Sequence, residues 1–379
     1  MINNEHKIEQ FIPFGELIRG FANQPLLTSR ELSLMLRQRG IFFNNKDKET
    51  MIPTLISLLL SPREFDILRD SFNTREDKPK RLSSTIDWNN TKTLLQALPK
   101  DLNLSLLIER NSNVKVLGVP KFVPIGNNPD NLICEFEIER NDINKCWYEQ
   151  TNKFKGSIVL HKTRENQVSL KITHTAVETK LLAEVVSKKV IQSFKDQKCI
   201  QYDKELDRII FNDFSNEDRI VFFNRLSTRC TNLIFEFIDI VDIEFKSDES
   251  EELPKDIDWL KKKKEVIMKG TDLHNTFFFR EKQYHKYLAT WAYEVKFNYT
   301  LLNQTGSCVF YFGFPDYTFK KRGNAEFEMN ILRLYPSDYK IDNREKSKIE
   351  NRLLDEMDKL KNEVYMNFKE YLKKKSINE

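Results

Sequence analysis

Apolar positions along the first 82 residues recur at steps of three and four, the spacing of one helix face. Phe14 to Ala22 is a short amphipathic segment. Thr28 followed by Glu31 places a hydroxyl and a carboxylate where each satisfies the other's backbone donor, and Leu32, Met35 and Leu36 then share a face. Gly40 falls where a left-handed C-terminal cap belongs. After an extended piece, Ile41 to Asp47, residues 48–60 read as a helix with Met51, Ile52, Leu55, Ile56 and Leu59 inward. Pro53 removes a backbone donor inside it. Ser61-Pro62-Arg63-Glu64 is a helix start, with a hydroxyl cap, Pro at the first position and Glu at the third. That helix carries Phe65, Leu68 and Phe72, and the charged stretch 73–81, with Pro79, reads as a linker.

From residue 102 the period shortens to that of strands. Leu104 to Glu109, Val114 to Val123 and Leu132 to Glu139 are predicted strands, and Gly156 to His161 with Val168 to His174 a hairpin. A long helix over Val177 to Lys195 follows, then a short strand at Arg208 to Phe211 and a helix capped by Ser215. Leu233 to Phe245 is apolar on both faces, which suits a central strand. Thr290 to Leu301, Cys308 to Phe314 and Ala325 to Leu334 predict an antiparallel meander, with Gln304-Thr305-Gly306 and Lys320 to Gly323 in its turns. Residues 344–375 read as a long amphipathic helix on Ile349, Leu353, Met357, Leu360, Val364, Phe368 and Leu372. The expected fold class is α+β. A helical module with its linker occupies 1–82, and a mixed, mainly antiparallel β body occupies 83–379, with a sub-boundary near 247–255.

Composition narrows the function. Only 10 Gly and 7 Ala stand in 379 residues, which argues against glycine-rich phosphate loops and a doubly wound dinucleotide fold. The balance of 61 basic and 57 acidic residues leaves a formal charge of +4, so any nucleic-acid surface must be local. No apolar run approaches a membrane span, and the five cysteines form no CxxC pair, so a reducing cytoplasm is expected. The abundance of Phe and Lys fits an AT-rich, bacterial genome and carries no functional weight alone. No bound cofactor and no metal site are expected.

The segment from Leu27 to Leu60 resembles a SAP-like helix–extended-loop–helix. Leu32 and Leu36 match its first helix, Gly40-Ile41 its turn, and Lys48, Ile52 and Leu55 its second helix. Pro53 and a longer loop depart from that pattern. The resemblance implies a module that contacts duplex DNA or, in some cases, protein. Arg30, Arg37, Arg39, Lys46 and Lys48, with Asn44 and Asn45, cluster around the loop and the helix ends, and such donors suit phosphates. The candidate nucleic-acid-binding residues are Arg30, Arg37, Arg39, Asn44, Lys46 and Lys48. The alternative is that these cations solvate the outside of a packing module. With FGELIRGF before the module and Trp88 after it, the N-terminal arrangement also resembles the non-nuclease subunit of two-gene bacterial phage-defence systems. In those, the partner subunit carries the nuclease.

Signs of catalysis are sparse. None of the histidines makes a zinc motif. His161 and His174 are expected near each other on the hairpin, and the polar stretch THTAVETK beside them reads as a helix cap by Thr173 or Thr175 with Glu178. Asp242, Glu244 and Lys246 alternate onto one strand face as a partial metal-nuclease set, though no Pro-Asp precedes them. Pro315-Asp316 with Glu326 and Glu328 is a second partial set that lacks its lysine. The runs Phe277 to Phe279 and Phe310 to Phe312 could stack on bases, or else pack in the core. The expected function is a non-catalytic, DNA-binding or sensing subunit of a bacterial antiviral defence or DNA-processing complex. Its expected partners are duplex DNA and a protein such as a nuclease subunit. The alternatives are a metal-dependent nuclease using Asp242, Glu244 and Lys246, and a protein-binding scaffold without nucleic-acid contact.

Overall fold

The computed structural model describes residues 12–24, 27–45, 47–76, 78–99, 113–141, 150–163, 166–228, 232–248, 252–320, 323–338, 341 and 343–378. The predicted strand Leu104 to Glu109 lies outside these residues. Among the described residues, four helices come first: α1 (Glu16–Ala22), α2 (Ser29–Gln38), α3 (Lys48–Ser57) and α4 (Pro62–Glu76). Their local causes are those the sequence suggests. Glu31 accepts from the Thr28 N–H at 2.6 Å and from its hydroxyl at 2.8 Å, closing the start of α2. At its end, Gly40 adopts φ 75°, which lets its N–H reach Arg37 O and the Ile41 N–H reach Leu36 O. That pair of bonds is a Schellman motif, and Ile41 packs against the same core as Leu36. Pro53 sits in mid-helix but on the exposed side. Helix α3 ends at Ser57, where the sequence predicts continuation to 60. Leu58 is extended, so Leu59 turns out, 74% exposed, and Leu60 is buried in its place. Ile18, Phe21, Leu32, Met35, Met51 and Leu68 belong to the core these helices share.

The expected linker is not one. Helix α4 runs through Glu76, and strand β1 (Lys80–Asp87) begins four residues later. After β1 come α5 (Leu94–Ala97), β2 (Val114–Leu117), β3 (Phe122–Ile125), β4 (Asn128–Asn141), β5 (Thr151–Lys162) and β6 (Gln167–His174). The strand expected over Val114 to Val123 is split into β2 and β3 by Gly118, at φ 72°, and Pro120. Then follow α6 (Val177–Asp196), α7 (Asn216–Thr228), β7 (Phe235–Ser247), β8 (Val266–Lys269), α8 (Phe277–Arg280) and β9 (Leu288–Leu301). The chain closes with β10 (Gln304–Gly313), α9 (Asp316–Lys320), β11 (Glu328–Pro336) and α10 (Asn343–Asn378). Arg208 to Phe211 forms no strand; Ile210 makes one bridge, to Glu326. Gln304 to Gly306 belongs to β10 rather than to a turn, because Gln304 already pairs with Leu301.

The architecture is α+β: short N-terminal helices, a large antiparallel sheet and a long C-terminal helix. The sheet has 11 strands in the order β2-β4-β5-β6-β1-β11-β10-β9-β7-β8, with β3 beside β4. Strand β7, expected at the centre, is next to the edge, and Ile238 on it is exposed. Two further cores lie on this sheet. Leu82, Ile158, Leu170 and Ile172 pack with Val186, Val190 and Phe194 of α6. Tyr293, Phe297, Phe310 and Phe312 pack with Phe222 and Phe223 of α7 and Leu353 and Phe368 of α10. Residues 247–255 do not divide a core, since Phe245, Leu253 and Ile257 share one. Among the described residues, the two halves of the sheet join through Lys80↔Asn330 and Arg81↔Met329, whereas β1 pairs along its whole length with β6. Side chains reinforce this joint. Lys78 bonds Leu332 O, Arg81 pairs with Asp355 of α10, and Lys361 of α10 bonds Ser83.

Candidate functional site

The N-terminal cations divide into two groups. Arg39 is a staple: its guanidinium meets Glu64 Oε1 at 2.6 Å and donates to Leu59 O at 2.7 Å, tying the end of α2 to the start of α4. Lys48 Nζ donates to Gln24 O at 2.6 Å, holding α3 to the turn after α1. Arg30 and Arg37 are exposed on α2, and no ion pair engages either among the described residues. Asn44 is exposed in the loop, and Lys46 lies outside the described residues. Asp47 and Glu49 put negative charge at the start of α3, so the α3 N-terminus is a poorer phosphate receptor than the rim formed by α2 and the loop.

The staple makes the module acid-sensitive. The Arg39 hydrogen bonds, helped by the Ser61 hydroxyl and N–H, outweigh burial and hold the Glu64 carboxyl down at about 2. An ordinary unfolded glutamate titrates near ~4.3. Because the folded value is depressed, this stabilisation is present above ~4.3 and is lost as pH falls toward about 2. The protection factors of the α2 amides, corrected for intrinsic exchange, should therefore fall across that window. In Arg39→Ala the protection should be lower at neutral pH and flatter across the same window; an unchanged profile would remove the staple from the account.

On the sheet, directly opposed residues form a polar row that crosses both halves. Lys269 faces Asp242, Asp242 faces Glu294, Glu294 faces Tyr311, Tyr311 faces Asn330, Asn330 faces Lys80 and Lys80 faces His174. Opposed residues project to the same side, so these groups share one face. Burial pushes the Asp242, Glu244 and Glu294 carboxyls upward. Each nonetheless has a partner: Lys269 lies 3.4 Å from Asp242, the Trp291 indole donates to Glu244 at 2.7 Å, and Arg333 reaches Glu294 at 2.7 Å. Lys246 places its amine 5.4 Å from the Tyr317 ring centroid, and among the described residues no ion pair joins it to Asp242 or Glu244. Asp242, Glu244 and Lys246 thus share a strand face without converging on one point.

At the other end of the row Lys180 draws together two members of the second partial set, Asp316 and Glu328. Glu328, 3% exposed, accepts from His174 at 3.2 Å and lies 3.8 Å from Lys180, which pairs with Asp316 at 3.1 Å. Burial alone would raise the Glu328 carboxyl; the His174 hydrogen bond and the charges of His174, Lys80 and Lys180 outweigh it and hold it below the usual range. Glu326 is separate and pairs with Arg208. His161 is not beside His174, since it pairs with Ser169 while His174 pairs with Gly156. The cap of α6 also differs from expectation. Thr179 Oγ1 accepts from the N–H groups of Thr175 and Ala176 at 3.2 and 3.0 Å, and Glu178 instead meets Arg140.

The aromatic runs mostly pack inward: Phe279, Phe310 and Phe312 are buried. Away from the row, one potential ligand atom from each of Asp239, Asp272 and His274 lies within 4.8 Å of the others. Sequence spacing gives no sign of this set, because β7 and the turn after β8 bring its members together across the chain. Among the described residues, no helix is long and apolar enough to cross a membrane.

Residues 16–78 match the family model of the GAPS4b protein N-terminal domain. The match spans α1 to α4 and none of the sheet, and it fits an N-terminal module of a phage-defence-related system. No curated protein and no solved structure matches the chain.

Proposed function

We propose that this chain is a DNA-binding component of a bacterial anti-phage defence system, acting with a separate effector such as a nuclease. The observation that supports it is a coincidence of place. The matched segment contains a helix, an extended loop and a second helix, and Arg30 and Arg37 stand exposed on its rim. Phosphate contacts come from Arg30, Arg37, Asn44 and Lys46, while Arg39 and Lys48 hold the module in shape. Such contacts neutralise backbone charge without reading bases, so binding is sequence-independent and weak at physiological salt, with Kd on the order of 10⁻⁴–10⁻⁶ M. The β-rich body serves as the surface for the protein partner.

Fluorescence anisotropy on a labelled duplex tests this reading. The Arg30→Ala/Arg37→Ala/Lys46→Ala chain should lose about tenfold or more in affinity on every duplex sequence. The Arg39 and Lys48 staples stay intact in that variant, so its circular dichroism should match the wild type. Absence of duplex binding at low salt, together with a stable co-purifying protein, would replace the reading with a scaffold role.

A further inference from the structure

We propose that Asp239, Asp272 and His274 form a binding site for one divalent transition-metal ion of the zinc class, clipping the turn after β8 to β7. Asp239 stands in β7 at a register shift that follows Phe237, and Asp272 and His274 follow β8 at the edge of the sheet. One potential ligand atom from each of the three residues lies within 4.8 Å of the other two, and His274 Nδ1 is 3.7 Å from Asp239 Oδ1. Zinc bonds of ~2.0–2.2 Å to nitrogen and oxygen set tetrahedral ligand edges of roughly 3.4 Å, so Asp239 and Nδ1 already stand near such an edge and the Asp272 side chain swings in to complete the set.

Three features favour a metal over a chance cluster. His274 Nδ1 is buried with no hydrogen-bond partner, although it is turned toward a carboxylate. The ring is held edge-on by Phe237, with centroids 5.7 Å apart. Two carboxylates also lie together at this site, and among the described residues no lysine or arginine makes an ion pair with either, although Lys296 stands opposite Asp239 on β9. The carboxylates are themselves oriented. Asp239 accepts from the N–H groups of Ile240 and Asp272, at 2.8 and 3.0 Å, and Asp272 accepts from the Asn275 amide at 2.6 Å. An imidazole with two carboxylates selects zinc, cobalt or manganese over magnesium and calcium, which prefer all-oxygen shells. Three protein ligands leave a fourth position for water.

Untagged full-length protein, stripped with a chelator and titrated with Co²⁺, provides the test. A 1:1 stoichiometry is expected, with d–d absorption in the visible range that Zn²⁺ abolishes by competition and Mg²⁺ does not. His274→Ala should lose the signal. Asp272→Asn, which keeps a residue at ease with the φ of 59° there, should weaken binding at least tenfold while the fold is retained. No stoichiometric signal in the wild type, or equal binding by His274→Ala, would overturn the site.

Discussion

Asp358→Ala is expected to lower the free energy of unfolding by about 3–5 kcal/mol, measured by urea denaturation at pH 7. Asp358 is fully buried on the sheet side of α10. It accepts from Lys361 Nζ at 2.9 Å, pairs with Lys171 of β6 at 2.9 Å, and accepts from the Ser83 hydroxyl of β1 at 2.9 Å. Lys361 is itself 3% exposed, so removing the carboxylate leaves a buried ammonium whose remaining hydrogen bond among the described residues is to the Ser83 hydroxyl. The cost arises from that stranded charge more than from the lost attraction. Removing both ends, in Asp358→Leu/Lys361→Met, should recover much of the loss, because a well-packed apolar pair can match a buried ion pair. Burial alone would raise the Asp358 carboxyl, but Lys361 and Lys171 overcome it and hold it far below its ordinary range. Its contribution is therefore complete above ~4, the unfolded value, and declines as pH falls further. A loss under about 1 kcal/mol in the single variant would show that α10 does not depend on this contact.

Glu328→Ala is expected to cost about 3 kcal/mol for a related reason. It removes the carboxylate that accepts from His174, whose other ring nitrogen is already buried without a partner. Lys180 keeps Asp316 and Lys80 is partly exposed, so the histidine bears most of the penalty. Replacing it as well, in His174→Phe/Glu328→Leu, should restore stability, and the cycle should return a coupling of about 1–3 kcal/mol. Additive effects would mean that the pair does not cross-link the halves of the sheet. Both variants act at one place: β1 meets β11 through two residue pairs, so the joint relies on polar contacts beside it.

Helices were the most legible part of the sequence. Thr28 with Glu31, Gly40, and Ser61 with Glu64 are local devices, and each makes the bond its spacing implies. The meander β9-β10-β11 is readable for the same reason, since long alternating runs that follow one another pair with their neighbours, even with α9 in the connection from β10 to β11. Strand β1 was hidden. Its run Ser83-Ser84-Thr85 carries no apolar alternation, and the groups that satisfy this strand, Asp355, Asp358 and Lys361, stand more than 270 positions away. The rim cations were visible by type, but not their division into staples and free charges. Arg39 and Arg37 look alike until Glu64 is placed beside one of them. Leu59 was misplaced because α3 stops at Ser57, and helical spacing cannot show where a helix ends.

The most direct test of the DNA-binding reading is the slope of log Kobs against log salt concentration for the full chain on a duplex. Each phosphate contact contributes about −0.9 to that slope. A steep wild-type line is expected, becoming shallower by roughly 2–3 in the Arg30→Ala/Arg37→Ala/Lys46→Ala chain, whatever the duplex sequence. Parallel lines for the two proteins would contradict it and move the nucleic-acid contact, if one exists, off the N-terminal module.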